Sequence, residues 1–145
     1  MTGQTMEVIL IKGKREYMAS LPLNKYFSLA GINPPLRDID TSLWRRYLGT
    51  WEIDDGRLYL TNLEGSLEDK SVFSITSIFP FYKDRVFAFW YTGLLDVAQG
   101  KFLVGSDRGF NHISEGILHI KIESGLVVNE TYEDTSNNAR GLIWD

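Results

Sequence analysis

Residues 117–131 read Ile-Leu-His-Ile-Lys-Ile-Glu-Ser-Gly-Leu-Val-Val-Asn-Glu-Thr, and no other stretch constrains the fold as strongly. Leu118, Ile120 and Ile122 alternate with His119, Lys121 and Glu123. A period of two puts the first set on the buried face of a strand and the second on its solvent face. Ser124-Gly125 supplies a turn, and Leu126 to Thr131 returns as the partner strand. The same pattern recurs upstream. Trp44–Ile53 and Arg57–Leu63 flank Asp54-Asp55-Gly56, whose Asp-Gly pair tolerates the positive φ of a tight hairpin. Leu58 and Leu60 fall on one face there, with Arg57, Tyr59 and Thr61 on the other. Val8–Ile11, Gly13 and Arg15–Ser20 suggest an opening hairpin.

Val86–Tyr91 has almost no polar break and predicts a strand covered on both faces. Leu94–Val97 and Phe102–Val104 follow as strand-like runs divided by Gly100. One segment predicts a helix, with a strand as the alternative that its β-branched residues leave open. Ser66 is placed to cap it, Glu68 and Asp69 lie in its first turn, and Val72, Ile75, Ile78 and Phe79 follow at helical spacing before Pro80. Leu21–Asp40, with Gly31-Ile32-Asn33-Pro34-Pro35 at its centre, predicts a long surface loop. The expected architecture is mainly β. An antiparallel meander of about seven to nine strands with one short helix forms a curved sheet, a sandwich or a small barrel.

Composition narrows the functional classes. A chain of 145 residues matches one domain, expected to span 1–145, and is long enough to need no metal or disulfide staple. The absence of cysteine removes thiol nucleophiles, iron–sulfur clusters and Cys-ligated zinc. No apolar run is long enough for a membrane helix, and residues 1–14 lack a basic leader with an apolar core. A cytoplasmic location is expected. The formal net charge of −4 disfavours nucleic acid, and the one tight basic pair, Arg45–Arg46, is expected to be solvated.

Chemistry-bearing residues are densest in the loop Gly105–Gly116. Asp107, Arg108, Asn111, His112, Ser114 and Glu115 lie there between two expected strands. Arg108 offers a two-pronged contact to a carboxylate or phosphate, and His112 titrates near neutral pH. No nucleophile-elbow pattern supports His112, Ser114 and Asp107 as a triad, and the His112, Asp107 and Glu115 spacings match no metal site. The acidic pairs Asp38/Asp40, Asp54/Asp55 and Glu68/Asp69 have turn or helix-start explanations that compete with a glycosidase reading. Glycine-rich phosphate loops are absent. His119 is expected on an exposed strand face. Trp44, Trp51, Trp90 and Tyr91 either form core or line a pocket, and the continuous run around Trp90 favours core for that residue.

Three segments carry a resemblance: Tyr47-Leu48-Gly49-Thr50-Trp51-Glu52-Ile53-Asp54-Asp55-Gly56 with Arg57–Leu60, the stretch Val86–Gly100 around Trp90-Tyr91-Thr92-Gly93, and Glu115–Asn129. Together, over about residues 44–130, the chain resembles a loose group of small bacterial proteins with no established activity. The resemblance implies a bacterial or phage origin and no site residues.

These observations favour a non-enzymatic binding protein of inhibitor, immunity or accessory type, acting through a protein–protein surface with no cofactor. Its candidate binding residues are Asp107, Arg108, Asn111, His112, Glu115, Trp90 and Tyr91. The alternatives are a small-ligand-binding barrel or sandwich with an aromatic-lined pocket, and a hydrolase using the 105–116 loop.

Overall fold

The computed structural model describes residues 4–39, 41–82, 84–102 and 114–136. Nine strands and two helices occur among them. β1 (Glu7–Ile11) and β2 (Lys14–Met18) form the opening hairpin. α1 (Pro22–Ala30) leads to the hairpin of β3 (Tyr47–Asp54) and β4 (Arg57–Ser66), which turns through Asp55 and Gly56 at φ of 51° and 70°. The short elements β5 (Val72–Phe73), α2 (Ile75–Ile78) and β6 (Val86–Phe87) follow. β7 (Gly93–Phe102), β8 (Ser114–Glu123) and β9 (Leu126–Asp134) complete the order.

The strands make a curved mixed sheet with ring-like closure, the small-barrel form of the expected architecture. Its order is β3-β1-β2-β7-β8-β9-β4, and β4 pairs back onto β3. The path is no simple meander, because β1 lies parallel to β3, from Val8↔Thr50 to Ile11↔Ile53. Closure is light in two places. β2 meets β7 only at Tyr17↔Ala98 and Met18↔Val97, and β9 meets β4 only at Arg57↔Leu126. Beyond that point the outer edge of β4 is taken over by β6 at Tyr59↔Phe87 and then by β5 at Gly65↔Phe73.

The interior follows the alternation read from sequence. Ile9, Met18, Trp51, Leu58, Leu60, Leu95, Val97, Ile120 and Ile122 are fully buried. Leu118 is half-buried, while Lys121 and Glu123 are exposed. The hydrophobic term, at roughly 25 cal/mol per Å² buried, holds this set together.

Four expectations need correction. The first concerns Leu21–Asp40, whose first half is helix. Pro22 opens α1 with a preset φ, Gly31 closes it at φ 67°, and Ile32 N–H donates to the Phe27 carbonyl at 2.9 Å. Leu23 is buried, with Tyr26 and Phe27 packed against the core. The second concerns the helix expected from Ser66. That stretch ends β4, turns at Leu67–Ser71, adds β5, and is helical only over Ile75–Ile78. Asp69 stabilises the turn by accepting from Ser71 N–H at 2.9 Å, and β-branched Val72 takes its preferred extended form. Third, Val86–Tyr91 is a strand only over Val86–Phe87. It then turns, with Tyr91 N–H donating to the Ala88 carbonyl at 3.1 Å. Last, Leu94 to Phe102 is one strand. A bulge at left-handed Gly100 (φ 74°) absorbs the break.

Candidate functional site

Of the binding residues nominated from sequence, Asp107, Arg108, Asn111 and His112 lie outside the described residues. Glu115 is the second residue of β8, where its Oε1 accepts the Lys101 N–H at 2.6 Å. It fastens the Gly100 bulge of β7. Ser114 is buried at 3% exposure, and its hydroxyl donates to the Gly116 carbonyl at 2.6 Å. That proton is committed to the backbone.

Trp90 and Tyr91 sit in the turn after β6. The Trp90 indole N–H donates to the Pro22 carbonyl at 2.8 Å, tying this turn to the first residue of α1. Its ring stacks on Phe79 at 5.7 Å and meets Tyr26 edge-on at 4.8 Å and Trp51 at 6.4 Å. Trp90, expected in the core, is half-buried and packs against it. These rings pack on one another. The Tyr91 hydroxyl donates to the Leu94 carbonyl at 2.7 Å. Burial, and secondarily the Asp96 charge, pushes that phenol above its ordinary range. Trp44, by contrast, is 62% exposed.

Two charge clusters were not read from the sequence. The first is buried. Glu7 on β1 has no exposed surface, and its carboxylate accepts from Arg45 Nη2 at 2.7 Å, Gly49 N–H at 2.8 Å and Trp51 Nε1 at 3.0 Å. Burial pushes the Glu7 carboxyl up, and Arg45 with the other donors pulls it back. Every neighbour donates, so the ionised form is the one this shell accommodates. Arg45, expected in solvent, has a side chain only 5% exposed and also donates to the Thr5 carbonyl at 2.6 Å. Only Arg46 of the pair is solvated, where it meets Asp38 at 2.6 Å. The cluster staples parallel strands β1 and β3, a structural role.

The second cluster lies on the outer face of β7, β8 and β9. His119 stands between Asp96 and Glu133, with Nδ1 2.6 Å from Asp96 Oδ1 and Nε2 2.9 Å from Glu133 Oε1. The expected solvated histidine is therefore a cross-strand bridge. Glu133 and then Asp96, through these bonds, raise the imidazole above its ordinary value. A raised histidine adds stability that is complete below about pH 6.5 and is lost as pH rises through the higher folded-state value. One imidazole cannot gather both carboxylates around a single ion, since they occupy opposite edges of the ring.

β9 itself is the most open element. Eight of its nine residues are exposed. Among the described residues, strand β8 covers one edge; on the other, β4 pairs at Leu126 and the Val127 N–H donates to the Gly56 carbonyl at 2.8 Å. Glu130 and Tyr132 lie opposite Ile120 and Leu118, on the inner side, yet Tyr132 is 59% exposed. Val128, at the bulge of the β8–β9 ladder, is 48% exposed. Glu130, Glu133 and Asp134 make the strand acidic.

Two open clefts lie elsewhere. One of about 290 Å³ is apolar, lined by Ile32, Pro34, Pro35, Leu67, Phe73 and Ile78. The other, about 200 Å³, is lined by Thr61, Asn62, Ser74, Thr76, Tyr82 and Asp84. Neither is lined by Trp51 or Trp90. Among the described residues no group of three His, Asp or Glu side chains is arranged to hold a metal ion, and no helix is long and apolar enough to cross a membrane. No family model, curated protein or solved structure matches the chain.

Proposed function

We propose that the protein is a non-enzymatic binding protein of inhibitor, immunity or accessory type. Its partner is another protein, and the surface it uses is the outer edge of β9. The observation that carries this reading is the geometry of that edge. From Val128 to Glu133 the strand has a paired side and, among the described residues, a side on which no strand pairs. Such a row of backbone N–H and C=O groups is a template for an added strand. Exposed Val128 and Tyr132 offer apolar contacts for alternate side chains of the incoming segment.

Charge selects the kind of partner. A second copy adding to β9 in antiparallel fashion would bring Glu130, Glu133 and Asp134 against the same acids, which is unfavourable. An extended segment carrying Lys or Arg is attracted and steered instead.

The test uses a capped peptide of alternating Lys and Val, about nine residues long to match β9. Binding measured by fluorescence anisotropy is expected to weaken at least about tenfold, roughly 1.4 kcal/mol, in the Val128→Lys/Glu130→Lys double variant. Both positions are exposed, so the melting temperature is expected to stay near wild type. Unchanged affinity in a folded double variant would remove β9 as the surface.

A further inference from the structure

We infer that His119 makes strand addition at β9 pH-dependent: on losing its proton it releases Glu133, which then pairs with a Lys or Arg of the incoming segment. This rests on the β9-edge reading and names its regulation.

The argument begins with donors and acceptors. Both ring nitrogens of His119 contact carboxylate oxygens, Asp96 at 2.6 Å and Glu133 at 2.9 Å. An ionised carboxylate only accepts, and a neutral imidazole has one N–H. The two contacts therefore coexist only while the ring is doubly protonated. On deprotonation one carboxylate must face a nitrogen lone pair and is repelled.

Asp96 is the better held of the two. Its own backbone N–H is fixed by Ser20 Oγ at 2.9 Å, its contact is the shorter, and it sits in the middle of the β7–β8 ladder. Glu133 lies near the end of β9, with a side chain 54% exposed. The remaining N–H stays with Asp96, and Glu133 is the one let go.

Other charged groups near the ring leave this assignment in place. Lys121, on the same strand and face, is engaged with Glu123 at 3.8 Å. From β2, Tyr17 shares the outer face through its pairing with Ala98, and its hydroxyl accepts from Arg15 Nε at 3.3 Å. Tyr91 senses Asp96 but stays protonated near neutral pH, its phenol being raised. Among these groups, His119 alone changes charge near neutral pH.

Glu133 thus stands between two cation positions. One is His119 on β8. The other is the facing residue of a strand added beyond β9, at a cross-strand Cβ separation of about 4.5–5.5 Å. A cationic partner competes with the imidazolium for one carboxylate, so its binding expels a proton. Linkage then requires affinity to rise with pH through the His119 titration, by up to about tenfold per pH unit.

The experiment measures the same Lys/Val peptide by anisotropy between about pH 6 and about pH 8.5. Wild type is expected to bind about tenfold tighter at the upper end, and His119→Gln is expected to show a much flatter profile. Glu133→Gln, which keeps an acceptor but loses the charge, is expected to weaken binding at the upper end and to flatten the profile as well. It is the variant to use if His119→Gln does not fold. His112 is retained in all three proteins, so the difference between profiles isolates His119. Identical profiles in wild type and either folded variant would overturn this inference while leaving the β9 edge as a binding surface. No binding at any pH would remove both.

Discussion

Replacing Arg45 with Met is expected to cost about 3–5 kcal/mol of stability, read as a lowered denaturant midpoint. The reason lies in what remains. Glu7 has no exposed surface, and Arg45 supplies its compensating charge at 2.7 Å. Met fills part of the space but leaves a buried carboxylate held only by Gly49 N–H and Trp51 Nε1. Without the guanidinium, the Glu7 carboxyl moves further above its ordinary range. A raised carboxyl favours the folded state below its unfolded value of about 4.3 and loses that contribution as pH rises through the folded value. The deficit of Arg45→Met is therefore expected to be smaller at about pH 5 than at about pH 8. A variant within about 1 kcal/mol of wild type at both pH values would mean that the pair does not hold β1 to β3.

The second large effect is expected at Trp51→Ala, also on the order of 3–5 kcal/mol. Trp51 is fully buried on β3, and its ring touches Trp90 at a centroid distance of 6.4 Å. Truncation opens a cavity and also takes away the indole N–H that serves Glu7 at 3.0 Å. Trp51→Phe separates the two losses. It restores most of the volume but not the donor, so it is expected to retain a penalty of about 1–2 kcal/mol. Trp90→Ala is expected to cost less than Trp51→Ala, because Trp90 is half-buried and its N–H serves a neutral backbone carbonyl, not a buried carboxylate. Chemical denaturation of the three variants sets the order, and a Trp51→Ala midpoint above that of Trp90→Ala would contradict it.

What was legible in the sequence was local. Leu118, Ile120 and Ile122 announce their face because strand periodicity depends only on neighbours. Asp55-Gly56 announces its hairpin because few residues accept its dihedral angles. The missed helix α1 also had local signals, Pro22 at its start and Gly31 at its end. They were outweighed by the turn-forming Asn33-Pro34-Pro35 that follows, and the loop reading spread backward over them.

The charge clusters were not legible, for a different reason. Arg45 lies far along the chain from Glu7 and meets it only because β1 pairs in parallel with β3. His119 meets Asp96 and Glu133 only in one register, and a slip of one residue would turn each side chain to the opposite face. Composition pointed to the 105–116 loop because polar residues are dense there. The open edge of β9 has no compositional mark at all. It follows from where β4 stops accompanying β9, which is a property of the closed ring.

Amide hydrogen exchange along β9 tests the strand-addition account most directly. In the free protein, outward-facing N–H groups between Val128 and Glu133 are expected to exchange quickly, since exposed edge amides have no protecting partner. With saturating Lys/Val peptide at about pH 8, they are expected to slow by at least about tenfold. Amides of β1 and β2, paired within the sheet on the far side of the ring, should be unchanged. Peptide binding that leaves β9 exchange as it was, or slows another edge instead, would contradict the account.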